Sequence, residues 1–219
     1  MDSMSNAEAK ALLREYGIPM PEEDMAKSRE EAVSIAKKLG YPVVLKVLSP
    51  DILHKTEAGG VLLDIKDKAG VEQGYEEIMR RAKAYKADAR IEGVLVQKQA
   101  SRGREVIVGA LRDEQFNGVV MFGLGGVFVE VLKDVSFRIA PIDEKEALRM
   151  IREIKGYPLL EGFRGNPPAD TEAIARVIAA ASRIIHEHRE VLEMDINPLI
   201  VYPRGALAVD VRIIKETLP

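Results

Sequence analysis

Two lobes of mixed α+β structure are what this sequence predicts, on three observations. Short apolar runs alternate with segments of helical period as far as the run GVLVQKQ. From Gly103 the strands come in quick succession: EVIVGAL, GVVMFG, VFVEVL and VSFRIAP. Between these two regions lies a polar stretch, Gln97 to Arg104, which reads as a hinge. The predicted lobes are therefore residues 1–99 and 100–219.

Each element has a local signal. Ala7 to Tyr16 has helical spacing and stops at Gly17, ahead of Pro19 and Pro21. Ser28 begins a second helix, SREEAVSIAKKLG, with Glu31 completing a capping box and Gly40 ending it. Tyr41-Pro42 leads into the strand VVLKV. The loop SPDILHKTEAGG, the strand VLLDI and a charged helix from about Lys68 to Lys86 follow, and GVLVQKQ ends the first lobe. In the second lobe Asp143 caps a helix to about Ile154, and another runs from Asp170, just after Pro167-Pro168, to about Arg189. A hairpin closes the chain: Leu199 to Tyr202, the turn Pro203-Arg204-Gly205, then Ala206 to Val209.

Composition limits the class of protein. Hydrophobic residues are 47% and charged residues 31% of 219, the balance of a globular chain able to bury a sizeable core. A formal net charge of −3 argues against a general nucleic-acid binder. No apolar run approaches the roughly 20 residues that span a bilayer, and the N-terminus has no charged-then-apolar signal pattern, so a cytoplasmic protein is expected. With no cysteine, disulfides, thiolate nucleophiles and cysteine metal sites are excluded. Four Asn, four Gln and no Trp beside abundant Glu, Lys and Arg suit a protein adapted to heat.

The residues that carry chemistry begin with DINPLIVYPRGALAVD. Folding at its turn brings Asn197 opposite Asp210, with Asp195 two residues along the same face. Two carboxylates and an amide oxygen are hard donors suited to Mg²⁺; the alternative is a polar hairpin end with solvated acids. Lys46 sits inside the apolar VVLKV, where an ammonium either meets an anion or lies on an exposed edge strand. Gly59-Gly60 permits close backbone approach to phosphate, or is simply a turn before a strand. His54, in the same loop, has an imidazole able to carry a phosphoryl group, although a lone loop histidine is more often unremarkable. His186 and His188, two apart on a helix, do not share a face and read as structural or solvated. Gly123 to Gly126 offers a second glycine loop, Arg138 is a guanidinium in the strand SFRIAP, Glu105 opens EVIVG, and Arg164 stands between two glycines.

In this order the pieces resemble an ATP-grasp domain. More specifically, LKVLSPDILHKTEAGGV, VVMFGLGGVFVEVLKDVSFRIAP and EMDINPLIV are similar to the β subunit of ADP-forming acetyl-CoA synthetase (NDP-forming acyl-CoA synthetase), and more distantly to that of succinyl-CoA synthetase. The resemblance covers essentially the whole chain. It implies a two-lobed ATP-grasp fold with ATP or ADP bound between the lobes. It gives Lys46 the phosphates, Gln97 and the backbone after it the adenine, and Glu105 the nucleoside, with Gly59, Gly60 and Arg138 as further nucleotide-binding candidates. Asn197 and Asp210 would hold Mg²⁺, with Asp195 in support.

His54 occupies the position of the histidine that accepts a phosphoryl group in this family. The implied reaction is reversible: acyl-CoA, ADP and phosphate give carboxylate, CoA and ATP. A chain of this length lacks room for CoA-binding and α-subunit phosphohistidine domains, so the resemblance implies an α partner carrying both, in an α2β2 assembly. The methionine start and complete hairpin favour a separate subunit over a piece of a fused chain. Two other functions remain open at this level: an ATP-grasp carboxylate ligase without a histidine carrier, and a non-catalytic adenine-nucleotide sensor. The acyl group and the choice between ADP and GDP are not readable.

Overall fold

The computed structural model describes residues 2–52, 55–126, 133–162, 165 and 167–216. His54, Arg164 and the strand expected at 127–132 lie outside the described residues. In chain order the first elements are β1 (Asp2–Ser3), α1 (Asn6–Glu15), β2 (Glu23–Ala26), α2 (Arg29–Leu39), β3 (Val43–Leu48), β4 (Val61–Ile65), α3 (Lys68–Tyr85) and β5 (Gly93–Lys98). Then come β6 (Arg104–Leu111), β7 (Val119–Leu124), β8 (Val135–Ile139), α4 (Glu144–Glu153), a 3₁₀ turn (Tyr157–Leu159), α5 (Thr171–Glu187), β9 (Val191–Val201), β10 (Ala206–Ala208) and β11 (Val211–Lys215). Among the described residues no helix is long and apolar enough to cross a membrane.

The chain divides into two compact units: Pro21–Ser101, and Met1–Met20 together with Arg102–Pro219. Residues up to Met20, expected in the first lobe, thus pack with the C-terminal half. The reason is burial and pairing: Leu12, Leu13 and Ile18 join the core of that unit, β1 pairs with β11, and Lys215 Nζ meets Glu8 Oε1 at 2.7 Å.

In the smaller unit four antiparallel strands run in the order β2-β5-β3-β4. Strand period two sends Val43, Leu45, Val47, Val94 and Val96 into one core with Val33, Ala36, Ile78 and Ala82 of α2 and α3. Strand β2 escaped the sequence reading because its short acidic run, EDMA after two prolines, has no strand signature of its own; pairing with β5 makes it one.

In the larger unit the order is β1-β11-β9-β6-β7-β8, with β10 added to β9. Val106, Val108, Phe122, Met194 and Ile196 fill one face of that sheet against the apolar sides of α1, α4 and α5. The closing hairpin is longer than its turn signal suggested: β9 begins at Val191 and pairs first with β10, then with β11.

All five described α-helices start at a Ser or Asp whose side chain accepts a backbone N–H of the first turn. The capping box expected at Ser28 forms only in half. Ser28 Oγ accepts the Glu31 N–H at 3.2 Å, but the Glu31 carboxylate takes Lys27 N–H at 2.7 Å. The full box is at Ser5 and Glu8.

Asp170 does two jobs. Its Oδ1 accepts Ala173 N–H at 2.8 Å, capping α5, and its Oδ2 accepts Gly205 N–H at 2.7 Å, closing the hairpin turn. Burial alone would raise the Asp170 pKa, but the Gly205 and Ala173 N–H groups outweigh it and hold the carboxyl below its ordinary value. A depressed folded-state value adds stability above the unfolded pKa that is lost as pH falls through the folded one. Asp170→Ala is therefore expected to cost about 1–2 kcal/mol at neutral pH. The gap to wild type should narrow in acid, which urea titrations at about pH 7 and about pH 3 would show.

Candidate functional site

In β3, Lys46 is opposite Leu95 of β5 and Val61 of β4, while Val44 is opposite Gln97. Period two places Lys46, Val44, Leu95 and Gln97 on the sheet face away from α2 and α3. Lys46 is 5% exposed and Gln97 2% exposed. Because β3 lies between β5 and β4, the reading of Lys46 as a solvated edge lysine fails. A buried ammonium on such a strand is tolerated only where anionic or polar groups meet it. Gln97 is oriented by Glu23, whose Oε2 accepts its Nε2–H at 2.5 Å. Glu23 had no sequence signal, since it stands in the unforeseen strand β2. Beyond it Gln99 and Asp64 exchange two hydrogen bonds, each 2.7 Å, tying the end of this segment to β4.

The loop between β3 and β4 is anchored on both described flanks. Asp51 accepts Arg90 N–H at 2.8 Å, Nε–H at 3.0 Å and Nη2–H at 2.9 Å, and Ile52 is buried in the core. Those Arg90 bonds hold the Asp51 carboxyl well below the usual carboxylate range. On the far side Gly60 N–H donates to Lys55 O at 2.8 Å and Gly59 N–H to Thr56 O at 3.0 Å. The N–H groups of Gly59 and Gly60 are thus used inside the loop. Their need for glycine is steric: Gly59 has φ +62°, and a Cβ on Gly60 would lie 2.4 Å from Val47 Cγ1.

In the larger unit the hairpin brings Asn197 and Asp210 together as its turn predicted, with Asn197 N–H donating to Asp210 O at 3.0 Å. Asp195 lies opposite Arg212 of β11 and Gly109 of β6. Burial pushes the Asp195 carboxyl up; Arg212 opposes this, and Glu193 and Asp210 add to it. Among the described residues no group of three or more His, Cys, Asp or Glu could hold a metal ion. What the hairpin end offers is two acids and one amide, all oxygen donors, which leaves coordination positions for water and phosphate. That donor set fits Mg²⁺, which keeps several waters and is commonly bound through one or two carboxylates plus substrate phosphates.

Glu105 is exposed at the start of β6, on the rim of a cavity of about 600 Å³ whose walls include Arg104, Leu124, Leu160, Val201 and Tyr202. Gly125 stacks directly against it: its N–H donates to Glu105 O at 2.9 Å, and a Cβ there would meet the Glu105 backbone at 3.1 Å. Arg138 is not with this group. Its strand neighbour Ser136 bonds Met150 O, so Arg138 faces the helix side, where Glu146 at 2.6 Å and Glu153 take its guanidinium. Arg138 thus sits in an ion-pair network with Glu146 and Glu153.

The comparisons agree with this geometry. The family model for the ATP-grasp domain matches residues 2–214. The β subunit of ADP-forming acetate–CoA ligase I from Pyrococcus furiosus is 51% identical over 207 residues, covering 94% of this chain and 89% of that protein. Acetyl-coenzyme A synthetase 1 of Ca. Korarchaeum cryptofilum, solved with coenzyme A and Ca-AMPCP, superposes with TM-score 0.96 at 49% identity, over 98% of this chain and 94% of that one. The same synthetase with Mg-AMPPCP, its phosphohistidine segment pointing towards the nucleotide site, gives TM-score 0.85 at 45% identity, over 98% and 93% of the two chains. The chain belongs to the ATP-grasp family, among the β subunits of ADP-forming acetate–CoA ligases.

Proposed function

We propose that this chain is the nucleotide-binding subunit of an ADP-forming acyl-CoA ligase, acetate–CoA ligase in type, and that it passes a phosphoryl group between a partner subunit and ADP. The observation that carries the proposal is the hairpin end, where Asn197 N–H donates to Asp210 O and Asp195 lies two residues along the strand; Asn197 and Asp210 would hold magnesium there, with Asp195 in support. When bound, the cation neutralises phosphate charge. Lys46 does the same from its own strand, at a position where it is shielded from water and its charge counts for more. Gln97, set by Glu23, and the backbone after it frame the adenine. Glu105 takes the nucleoside side.

His54 is the carrier. Its imidazole nitrogen attacks phosphorus on a phosphohistidine of the partner; the partner's P–N bond breaks and a new one forms on His54. A β-phosphate oxygen of ADP then attacks, the His54 P–N bond breaks, and ATP leaves with the imidazole free again. A covalent carrier is required because a metaphosphate-like group cannot travel free between separated sites. The partner supplies CoA binding and the acyl pocket, so it sets the acyl specificity, in an α2β2 assembly. The named activity of the Pyrococcus relative and the nucleotide complexes of the Korarchaeum synthetase support this reading.

Incubating the purified chain with γ-labelled ATP and Mg²⁺, with and without a candidate α subunit, tests it. Acid-labile, base-stable label on the protein is the expected result. Ligase turnover with no protein-bound label would instead indicate an ATP-grasp ligase that releases free acyl phosphate. Tight ADP binding with neither label nor turnover in any mixture would indicate a sensor.

A further inference from the structure

The edge strand β4 is irregular at one point, beside the row of residues that carries Gln97. Val43 is opposite Ile65 and Leu45 is opposite Leu62, so Val44 alone faces two residues of β4, Leu63 and Asp64. This is a β-bulge, a device that re-aims a side chain. On the other flank of β3, Val44 is opposite Gln97, which puts the bulge in the cross-strand row of Gln97. Asp64 absorbs the extra residue with φ +58°, a left-handed conformation uncommon outside glycine. In that conformation its N–H donates to Gln99 Oε1 and its Oδ1 accepts Gln99 Nε2–H, each at 2.7 Å. Backbone strain of this kind persists where the surrounding structure demands it, and it gathers at ligand sites.

Gln99 is gripped at its main chain as well. Its N–H donates to Pro42 O at 3.2 Å, while Lys98 donates its N–H to Glu22 O at 2.8 Å and its Nζ to Gly40 O at 2.7 Å. Residues 98 and 99 are therefore held from the chain entering β2, from the turn before β3 and from the bulge in β4. We propose that Asp64 and Gln99 are positioning residues for the nucleotide base: their two hydrogen bonds lock in place the backbone after Gln97 that meets the adenine. The inference rests on the adenine reading above. A backbone N–H or C=O is not placed by its own side chain, so its position depends on what holds the chain around it. Hydrogen bonds to a base need heavy atoms about 2.7–3.2 Å apart and well aligned, and a segment free to drift loses them first. The phosphates, which the proposed function gives to Lys46 and the hairpin end, do not depend on the lock. A merely structural pair predicts something different, because its loss would change base-containing and base-free ligands alike or leave both alone.

Calorimetric titration of Mg-ADP into the full chain, and of Mg-pyrophosphate, which lacks base and sugar, separates the two. Gln99→Glu sets a second carboxylate against Asp64 and opens the lock; Gln99→Ala opens it without adding a charge. Each is expected to weaken Mg-ADP binding about 10-fold, the scale of one or two net hydrogen bonds, with Mg-pyrophosphate binding within about twofold of wild type. The double variant Gln99→Glu/Asp64→Asn exchanges the donor and acceptor ends, so that an amide again meets a carboxylate. It should restore Mg-ADP binding to near the wild-type value. Melting curves of each variant establish that it is folded.

The proposal is overturned if both single variants bind Mg-ADP as wild type does, if they weaken the two ligands equally, or if the double variant stays as weak as Gln99→Glu. Gln97→Ala in the same titrations checks the underlying reading. If it weakens Mg-ADP alone while the Gln99 variants do nothing, only the lock falls. If Gln97→Ala leaves Mg-ADP binding intact, the adenine reading falls and the lock with it.

Discussion

His54→Ala should abolish the overall ligase reaction, by about 10³-fold or more, while ADP binding stays within about twofold of wild type. The split follows from the role. A carrier histidine forms a bond to phosphorus during turnover but contributes little to holding the nucleotide, a task the proposed function gives to Lys46, Gln97 and the hairpin donors. Of its described neighbours, Ile52 is buried and Lys55 O accepts the Gly60 N–H. Rapid-quench assays with the α partner, run beside ADP titration, would check both halves. A variant with full turnover would rule out the relay.

Lys46→Met should lower phosphoryl transfer about 10²–10³-fold, the scale for removing one preorganised cation from a reacting phosphate. Lys46 is 5% exposed in a strand whose neighbours are apolar, and methionine replaces its stem with a side chain of similar reach. Its charge has a partner in the fold, so the melting temperature should fall beside the loss of activity. Wild-type transfer rates in a folded Lys46→Met would rule out its role at the phosphates.

Much of this architecture is legible from local signals. The strand period around Lys46, the glycine turn of the closing hairpin and the Ser and Asp helix caps all act over a few residues, so the sequence alone determines them. The approach of Asn197 to Asp210 follows from the turn because hairpin register is set where the chain reverses. Other features required the tertiary structure, and for a common reason: each depends on a partner that arrives from elsewhere. Residues 23–26 become a strand only when β5 offers its edge. The segment up to Met20 joins the C-terminal unit because the cavity for Leu12 and Leu13 is there.

Charged side chains show the same division. Arg138 and Lys46 look alike in sequence, each a cation in an apolar strand, but strand parity and the helix behind it decide which is used for structure. Arg138 turns towards α4 and finds two glutamates; Lys46 points to the sheet face opposite the α2 and α3 core. Gly59 and Gly60 likewise bend the loop as their sequence says, while the structure alone shows where their N–H groups are used. Backbone preference is written in the residue itself. Which face a side chain serves is written in its neighbours, and those are assembled only by folding.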